Sequence, residues 1–339
     1  MRFTHDWLPQ RVVFAGGGAP EALTEEVRRL GASRVMAIAS DAGRAAAVLA
    51  GVPVELVHSE VVRHVPVEVA EHARAAAAAH DVDALVCVGG GSTTGLAKAV
   101  ALTTGLPIVA VPTTYAGSEA TDVWGMTEQG RKTTGVDRRV LPRAVVYDAG
   151  LMLGLPVPTS VASGLNAVAH CVDSMWGPLA DPIDRSLALD GLRALRTGLP
   201  LVVEEPMELP GREQTLYGAY LAAVAFASAG SGLHHKICHV LGGMFDLPHA
   251  ETHAVVLPYV LALNAPAVPE VERRLADAFA AGSALAGLLD LRRELGLAEG
   301  DLAAAVGPVV DAAPPGNPVP VTPEVVAALL RSAYDGRRR

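Results

Sequence analysis

The sequence contains few aromatic residues and few charged residues. Of its 339 residues, 4% are aromatic and 19% are charged, whereas 50% are hydrophobic. So little charge beside so much apolar character excludes an intrinsically disordered chain and is typical of a compact enzyme with a large core. A chain of this length exceeds what one hydrophobic core usually supports, so we expect two domains.

Cysteines are also scarce, and no segment resembles a targeting or membrane-spanning sequence. Cys87, Cys171 and Cys238 are widely spaced without a paired pattern, which favours reduced thiols. Residues 1–10 lack the layout of a signal peptide, and no run approaches the roughly 18 apolar residues that cross a bilayer. We therefore expect a soluble, cytoplasmic protein that does not bind a membrane.

Basic residues are outnumbered by acidic ones. The chain has 27 Lys and Arg against 36 Asp and Glu, which gives a formal net charge of -9. This balance excludes a general nucleic-acid-binding surface, because such a surface needs an excess of positive charge. A local pocket for a small anion remains compatible with it.

The first 150 residues alternate short apolar runs with alanine-rich helical stretches. The runs cover residues 11–14, 35–39, 52–57, 84–88 and 108–111. Apolar runs of this length separated by helices indicate parallel strands buried on both faces. They predict an α/β N-terminal domain with a mostly parallel, doubly wound, Rossmann-like sheet that binds ligands at the carboxyl ends of its strands.

Helical segments dominate after about residue 150. They cover residues 182–199, 212–229, 234–241, 270–287 and 323–334. This change predicts an all-α C-terminal domain, with the boundary between residues 148 and 155. We expect residues 1–152 to bind a nucleotide and residues 153–339 to carry the substrate and the catalytic groups.

A glycine-rich loop follows the fourth apolar run. Gly89, Gly90, Gly91 and Ser92 come directly after a buried strand and open a helix. Glycines let the backbone approach a phosphate, and the N–H groups at a helix start favour its charge. The loop matches neither the GxGxxG fingerprint nor a P-loop, and a simple strand-to-helix turn is the alternative.

Polar residues at two other strand ends extend this candidate nucleotide site. Thr113, Thr114 and Ser118 follow the next strand and would supply hydroxyl groups to the same ligand. Asp41 follows the second strand, where a carboxylate accepts the ribose hydroxyls and repels a 2′-phosphate. Asp41 would serve equally well as a helix N-cap, and the two roles can coexist.

Six of the eleven histidines lie between residues 170 and 253. Residues four apart share one face of a helix, so Asn166 pairs with His170, and His235 with His239. A single histidine is usually structural, but desolvating so many imidazoles without a ligand is costly. We therefore predict a functional polar pocket that also includes His249 and His253.

Asn166 stands where a carboxylate would complete an Asp/His/His/His set for a divalent cation. A carboxamide brings no negative charge, so this set would hold zinc or ferrous iron more weakly than one with a carboxylate. Lys236, beside the cluster, is expected on the opposite, solvated helix face rather than in the pocket.

Several long motifs resemble the iron-containing alcohol dehydrogenase superfamily, and in particular its maleylacetate reductase branch. They are Gly-Gly-Gly-Ser-Thr-Thr-Gly at 89–95, Pro-Thr-Thr-Tyr-Ala-Gly-Ser-Glu at 112–119, Leu-His-His-Lys-Ile-Cys-His-Val-Leu-Gly-Gly at 233–243 and Leu-Pro-His-Ala-Glu-Thr-His at 247–253, with Lys98 and Lys132. The likeness runs from about residue 14 to residue 258, and Asn317 with Pro318 extends it. It implies a dehydroquinate synthase-like fold, an NADH-binding N-terminal domain, a helical C-terminal domain, an active site between them and a homodimer.

The resemblance also assigns individual residues. It places Lys132 with the glycine loop among the cofactor-binding residues, and it places Asp41 where an acid favours NAD over NADP. The superfamily's ligands to Fe²⁺ or Zn²⁺, one Asp and three His, fall on Asn166, His170, His235 and His249. Maleylacetate reductases resemble this chain in lacking the carboxylate and are regarded as working without a metal.

The implied activity is reduction of maleylacetate, a small anionic dicarboxylate, to 3-oxoadipate with NADH or NADPH in the degradation of aromatic compounds. Hydride addition to its conjugated alkene leaves an enolate that hydrogen-bond donors can stabilise without a metal. The candidate donors are His170, His235, His239, His249 and His253. Two alternatives stay open: a metal-dependent alcohol or aldehyde dehydrogenase with Asn166 as a neutral ligand, and a non-redox enzyme of secondary metabolism that keeps the fold.

Overall fold

A computed structural model describes residues 2–128, 131–245, 247, 249–295 and 316–335, with the backbone alone at 131–132, 243–245, 251 and 333–335. The chain divides into two compact units, one formed by Trp7–Leu155 and the other by Met1–Asp6 with Pro156–Arg339. The assignment of nucleotide binding to residues 1–152 and of catalysis to residues 153–339 stays a prediction.

The first unit is built around a six-stranded sheet. Its strands are β1 (Arg11–Phe14), β2 (Val35–Ile38), β3 (Val54–His58), β4 (Ala84–Gly89), β5 (Ile108–Pro112) and β8 (Ala144–Tyr147). They lie in the order β1-β8-β5-β4-β2-β3, and every pair is parallel. The predicted parallel α/β domain is confirmed, although the sequence interpretation did not include β8.

Burial on both faces explains why these short runs form strands. All residues of β2 and β5 are buried, as are five of the six in β4. On one face, Val86 and Val109 pack with Leu23 and Val27 of helix α1 (Ala19–Leu30). Each such side chain contributes about 1.5–3 kcal/mol when fully buried. The other helices of this unit are α2 (Ala42–Ala46), α3 (Val67–Ala79) and α4 (Gly91–Thr104).

The register of the strands brings the predicted nucleotide-site loops side by side. Gly89 at the end of β4 pairs with Pro112 at the end of β5, and β2 pairs with the other side of β4. Because parallel strands end at the same edge of a sheet, the segments that follow β2, β4 and β5 are neighbours. An antiparallel hairpin that the sequence interpretation lacked, β6 (Val123–Glu128) with β7 (Arg131–Val136), comes later in this unit.

The described part of the second unit is helical, as predicted. Its helices are α5 (Val157–Ser174), α6 (Pro182–Glu204), α7 (Leu209–Ala229), α8 (Leu233–Phe245), α9 (His249–Asn264), α10 (Pro269–Phe279), α11 (Ala284–Leu295) and α12 (Pro323–Asp335). Within the described ranges, no single helix has the length and apolar character needed to cross a membrane, whereas the bent pair Leu209–Ala229 and Leu233–Gly242 passes that test when taken together.

Two helix predictions in this unit were wrong in detail. The helix expected at 182–199 continues through Pro200 to Glu204. The helix expected at 270–287 is two helices, because Ala280 adopts a left-handed conformation with φ of 54° and ends α10. This conformation is unusual for alanine, so no residue type in the sequence marked the break.

Helix α5 is the most enclosed element of the second unit. Every residue from Ser160 to Ser174 is buried, and the helix packs against α6, α7, α8 and α9. Gly164 permits the approach of α6, since a Cβ there would lie 2.3 Å from Cδ2 of Leu199. Because this part of α5 has no solvent-facing side, its polar residues need protein partners or a ligand.

Candidate active site

The glycine loop leaves the start of α4 open to an anion. Gly90, which caps α4, brings no side chain to the first N–H groups of the helix. A Cβ on Gly90 would lie 2.9 Å from Cγ2 of Thr114, and a Cβ on Gly89 would lie 2.3 Å from Oγ1 of Thr93. Close packing of Thr93 and Thr114 therefore requires glycine at these two positions, and the start of α4 without a capping side chain is compatible with a bound phosphate.

The other predicted nucleotide-site residues are only partly brought together. Thr113 follows β5, and its N–H donates to the carbonyl of Gly89 at 3.0 Å. Ser92 lies in the first turn of α4, beside the loop. Ser118 begins a separate 3-10 turn farther along the chain. Lys132 lies in β7, and its side chain is outside the described residues.

Asp41 takes the N-cap role that was its alternative assignment. Its Oδ1 accepts a hydrogen bond from the backbone N–H of Arg44 at 3.0 Å and so caps α2. Its Oδ2 lies 3.3 Å from Nε of the same arginine in an exposed ion pair. The ribose contact of Asp41 stays a prediction.

Two buried charged residues stabilise the segment after β5. Lys98 Nζ donates to the carbonyl oxygens of Ser118, Thr121 and Val123 at 2.6–2.8 Å. Burial lowers the pKa of Lys98 to about 7. Burial also raises the pKa of Glu119, which accepts a hydrogen bond from a buried tyrosine hydroxyl at 2.9 Å. We interpret both residues as structural.

Three helices of the second unit bring the histidines together. Helix α5 supplies Asn166 and His170, α8 supplies His234, His235 and His239, and α9 supplies His249 and His253. The rings of His170 and His235 stack with centroids 4.8 Å apart, and those of His239 and His249 with centroids 5.9 Å apart. All five predicted catalytic histidines lie in this histidine cluster, together with His234, to which the sequence assigned no role.

His253 links two other imidazoles of the cluster. Its Nδ1 lies 2.8 Å from Nε2 of His234, and its Nε2 lies 3.2 Å from Nε2 of His249. A neutral imidazole has one N–H and one lone pair, so each link needs one proton. The tautomers of the three rings are therefore coupled, from the fully buried His234 to the half-buried His249.

Four buried polar atoms of these residues have no hydrogen-bond partner among the described residues. They are Oδ1 of Asn166, Nδ1 of His170, Nδ1 of His234 and Nε2 of His235. An unpaired buried polar group costs about 1–3 kcal/mol, so each needs an explanation. A ligand bound beside these packed side chains would explain them.

Burial keeps the imidazoles neutral. It lowers the pKa of His170 to about 4 and that of His234 to about 3. It also lowers the pKa of His235 and of His253 well below 6.5, and repulsion from neighbouring histidines adds to this effect. At neutral pH these rings are therefore uncharged donors and acceptors.

Asp173 and Phe226 complete the cluster, and the sequence interpretation missed both. Oδ2 of Asp173 lies 2.7 Å from Nδ1 of His235, and burial raises the pKa of this carboxyl to about 7. The Phe226 ring of α7 packs against His170 and His235 at centroid distances of 4.6 Å and 4.2 Å. A signal for Asp173 existed, since it follows Asn166 and His170 at the i, i+4, i+7 spacing of one helix face.

The cluster does not match the donor set of the superfamily's metal. All four of the family's ligand positions, Asn166, His170, His235 and His249, carry neutral groups, and Asp173 contacts His235 on Nδ1, away from the unpaired Nε2. A second trio, His234, His235 and His253, has nitrogens within 4.8 Å of one another, but two of them are hydrogen-bonded together. A divalent cation would find no negatively charged ligand in either set.

Comparison with known sequences covers most of the chain. Residues 9–149 match the family model for iron-containing alcohol dehydrogenase, and residues 160–334 match the C-terminal model of the Fe-containing alcohol dehydrogenase family. The maleylacetate reductase of Sphingobium indicum is 43% identical over 99% of this chain and 98% of that protein.

Two solved structures superpose closely on the chain. The iron-containing alcohol dehydrogenase from Corynebacterium glutamicum has a TM-score of 0.96 and 56% identity, and covers 100% of this chain and 98% of its own. The maleylacetate reductase from Rhizobium sp. has a TM-score of 0.92 and 43% identity, with both chains fully covered. The fold, the motifs and these matches agree: the chain belongs to the iron-containing alcohol dehydrogenase family of oxidoreductases.

Proposed function

We propose that this protein is a maleylacetate reductase that uses NADH and works without a bound metal. The observation that carries the proposal is the full-length similarity to enzymes of that name. The histidine cluster supports it, because Asn166 stands where the superfamily's metal ligands include a carboxylate, and four buried polar atoms have no partner among the described residues. The remaining question is how neutral side chains can promote the reduction.

The conjugation of the alkene with the ketone in maleylacetate allows the reduction to proceed without a metal. When bound, NADH supplies a hydride. The alkene carbon β to the ketone accepts it, the electron pair moves onto the ketone oxygen as an enolate, and a proton at the α carbon completes 3-oxoadipate. The charge is spread over several atoms, so preorganised hydrogen-bond donors are sufficient to stabilise it.

The histidine cluster provides groups that can stabilise the enolate and groups that can supply the proton. We place the substrate beside Asn166, His170 and His235, whose side chains carry unpaired buried atoms, and Nδ1 of His170 can donate to one of its oxygens. A neutral Asn166 also avoids the repulsion that a carboxylate would exert on a dicarboxylate. The proton comes from the remaining histidines, and His249 is favoured because its hydrogen bond to His253 lets the proton it gives up be replaced.

The nucleotide loops support NADH as the cofactor. The bare backbone of residues 89–91 and the start of α4 receive the pyrophosphate, with Thr113, Thr114 and Ser118 as further polar groups and Lys132 as an additional contact. Asp41 lies at the adjacent strand end and would repel the 2′-phosphate of NADPH. A cytoplasmic location and a homodimer are part of the proposal, and the three buried free thiols support the location.

The test is to follow NADH oxidation with maleylacetate and with a panel of simple aldehydes. We expect turnover of maleylacetate alone, and we expect it to survive extensive chelation. NADH binding is measured separately by fluorescence, so that loss of the cofactor site is distinguished from a wrong substrate. Absence of turnover with maleylacetate beside intact NADH binding would reject the substrate.

A metal-dependent alcohol dehydrogenase is the second candidate, favoured by the 56% identical structure named as an iron-containing alcohol dehydrogenase. It predicts stoichiometric metal in the purified protein and activity that chelators abolish. The variant Asn166→Asp sharpens the distinction, since the added carboxylate should strengthen binding of Zn²⁺ or Fe²⁺ and weaken binding of a dicarboxylate. If the wild-type protein already binds metal as tightly as this variant, the metal-free proposal is wrong.

A further inference from the structure

Asp173 is a buried carboxylate to which the proposed reaction assigns no task. Its side chain is 0% exposed, and its Oδ2 lies 2.7 Å from Nδ1 of His235 and 3.2 Å from the backbone N of the same residue. When this carboxyl is ionised it only accepts hydrogen bonds, so Nδ1 of His235 then carries the proton. The other ring nitrogen, Nε2, is then left for a different contact.

Packing holds the ring of His235 in this orientation. The ring of His170 stacks on it with an interplanar angle of 15°, and Phe226 contacts it at a centroid distance of 4.2 Å. Nε2 is buried and has no hydrogen-bond partner within the described part of the chain. The ring is thus held by several aromatic neighbours, His253 at 4.6 Å among them, and by one carboxylate, while its second nitrogen has no partner among the described residues.

Stabilisation of α8 is the structural alternative. A carboxylate that accepts from the N–H of His235 is favourable at the start of this helix. Gly232 makes room for it, since a Cβ there would lie 2.4 Å from Oδ1 of Asp173. A capping carboxylate does not require a bond to an imidazole, however, and this role leaves the unpaired Nε2 unexplained.

We propose that Asp173 is a positioning residue, which holds Nδ1 of His235 and so directs the buried, unpaired Nε2 of that ring towards the anionic substrate. The identity of that substrate rests on the proposed function. A buried aspartate holds a histidine in its productive orientation in the same way in a catalytic triad. Outer carboxylates of this kind typically contribute about 10–100-fold to activity.

Asp173→Asn is the direct test, because it keeps the shape of the side chain and removes its charge. Ser174→Ala is the matched control: it removes a buried hydrogen bond to the His170 carbonyl on the same helix turn and leaves Asp173 in place. We expect Asp173→Asn to lower kcat with maleylacetate by about 10–100-fold with NADH affinity unchanged. A purely structural role would instead lower thermal stability and NADH binding without a selective loss of kcat.

Nitrogen-15 NMR of histidine-labelled wild-type protein tests the inference without a substrate. We expect His235 to carry its proton on Nδ1, which faces Asp173, and a lone pair on Nε2. His235→Gln identifies the signal. A proton on Nε2 would overturn the inference, as would equal kcat in Asp173→Asn and Ser174→Ala. If the wild-type enzyme does not reduce maleylacetate, the proposed function fails, and the NMR result alone decides the role of Asp173.

Discussion

The two candidate sites of this protein are built from different groups. The glycine loop offers backbone N–H groups from three consecutive residues, and it depends on the absence of side chains. The histidine cluster uses side chains from α5, α8 and α9, spread between residues 166 and 253, and its tautomers are coupled through hydrogen bonds. A change in the loop should therefore act locally through sterics, whereas a change in the cluster should alter the chemistry of several rings.

The largest expected effect is on catalysis in the cluster. His235→Ala removes the ring that contacts Asp173, His170 and Phe226, and we expect kcat with maleylacetate to fall about 10²–10⁴-fold. NADH affinity should not change. His72→Ala is the control, because that histidine is 64% exposed in the other unit. A parallel loss of NADH binding would contradict the independence of the two sites.

Substitutions in the glycine loop should lower NADH affinity by adding side-chain volume, not by removing a reacting group. Gly90→Ala places a Cβ 2.9 Å from Cγ2 of Thr114, and overpacking of this kind costs about 1–3 kcal/mol, or roughly 10–100-fold in NADH affinity. Adding Thr114→Ser removes that methyl group and should restore part of the binding. Gly154→Ala, where a Cβ would meet nothing within 4 Å, is the control. If the double variant binds no better than Gly90→Ala, the clash is not the cause.

The cluster should also make the protein sensitive to acid. The pKa of His170 is lowered to about 4 and that of His234 to about 3, against 6.5 for an unperturbed histidine. Between pH 6.5 and about 4 the unfolded chain binds these protons and the folded chain does not, so stability falls as the pH falls. Each histidine contributes up to about 1.4 kcal/mol per pH unit, or about 2 kcal/mol at pH 5.

Urea unfolding as a function of pH measures this effect. His234→Asn should reduce the slope below pH 6.5 by about one proton, since it removes one buried titrating ring. His72→Ala, which removes an exposed histidine of the other unit, is the comparison. An equal slope in wild-type and His234→Asn proteins would show that the cluster is protonated or solvated in the folded state.

The difference between the glycine loop and the histidine cluster also explains which features could be predicted from the sequence. The loop and most of the sheet were predictable because their signals, apolar runs followed by glycine, lie in consecutive residues. The histidines were also visible, and helical spacing places Asp173 on their face of α5. Its contact with His235 could not be predicted, because it joins residues 62 apart and depends on how α5 and α8 pack. The break at Ala280 was hidden for a different reason, since its left-handed conformation occurs at an alanine and not at a glycine.

The smallest expected effect is on the preference for NADH over NADPH, which we attribute to Asp41. This residue caps α2 and is also proposed to contact the ribose of the cofactor. Asp41→Ser keeps an N-cap, because serine caps helices about as well as aspartate, and it removes the negative charge. Removing one charge at a solvent-exposed site is worth about 1 kcal/mol, so we expect the preference for NADH over NADPH to fall about fivefold. Thermal stability should not change, and kcat with NADH should hold, because the histidine cluster is untouched. If the preference is unaltered while Asp41→Ala lowers stability, capping α2 is the whole function of Asp41, and NADH selectivity must come from other residues of the loop.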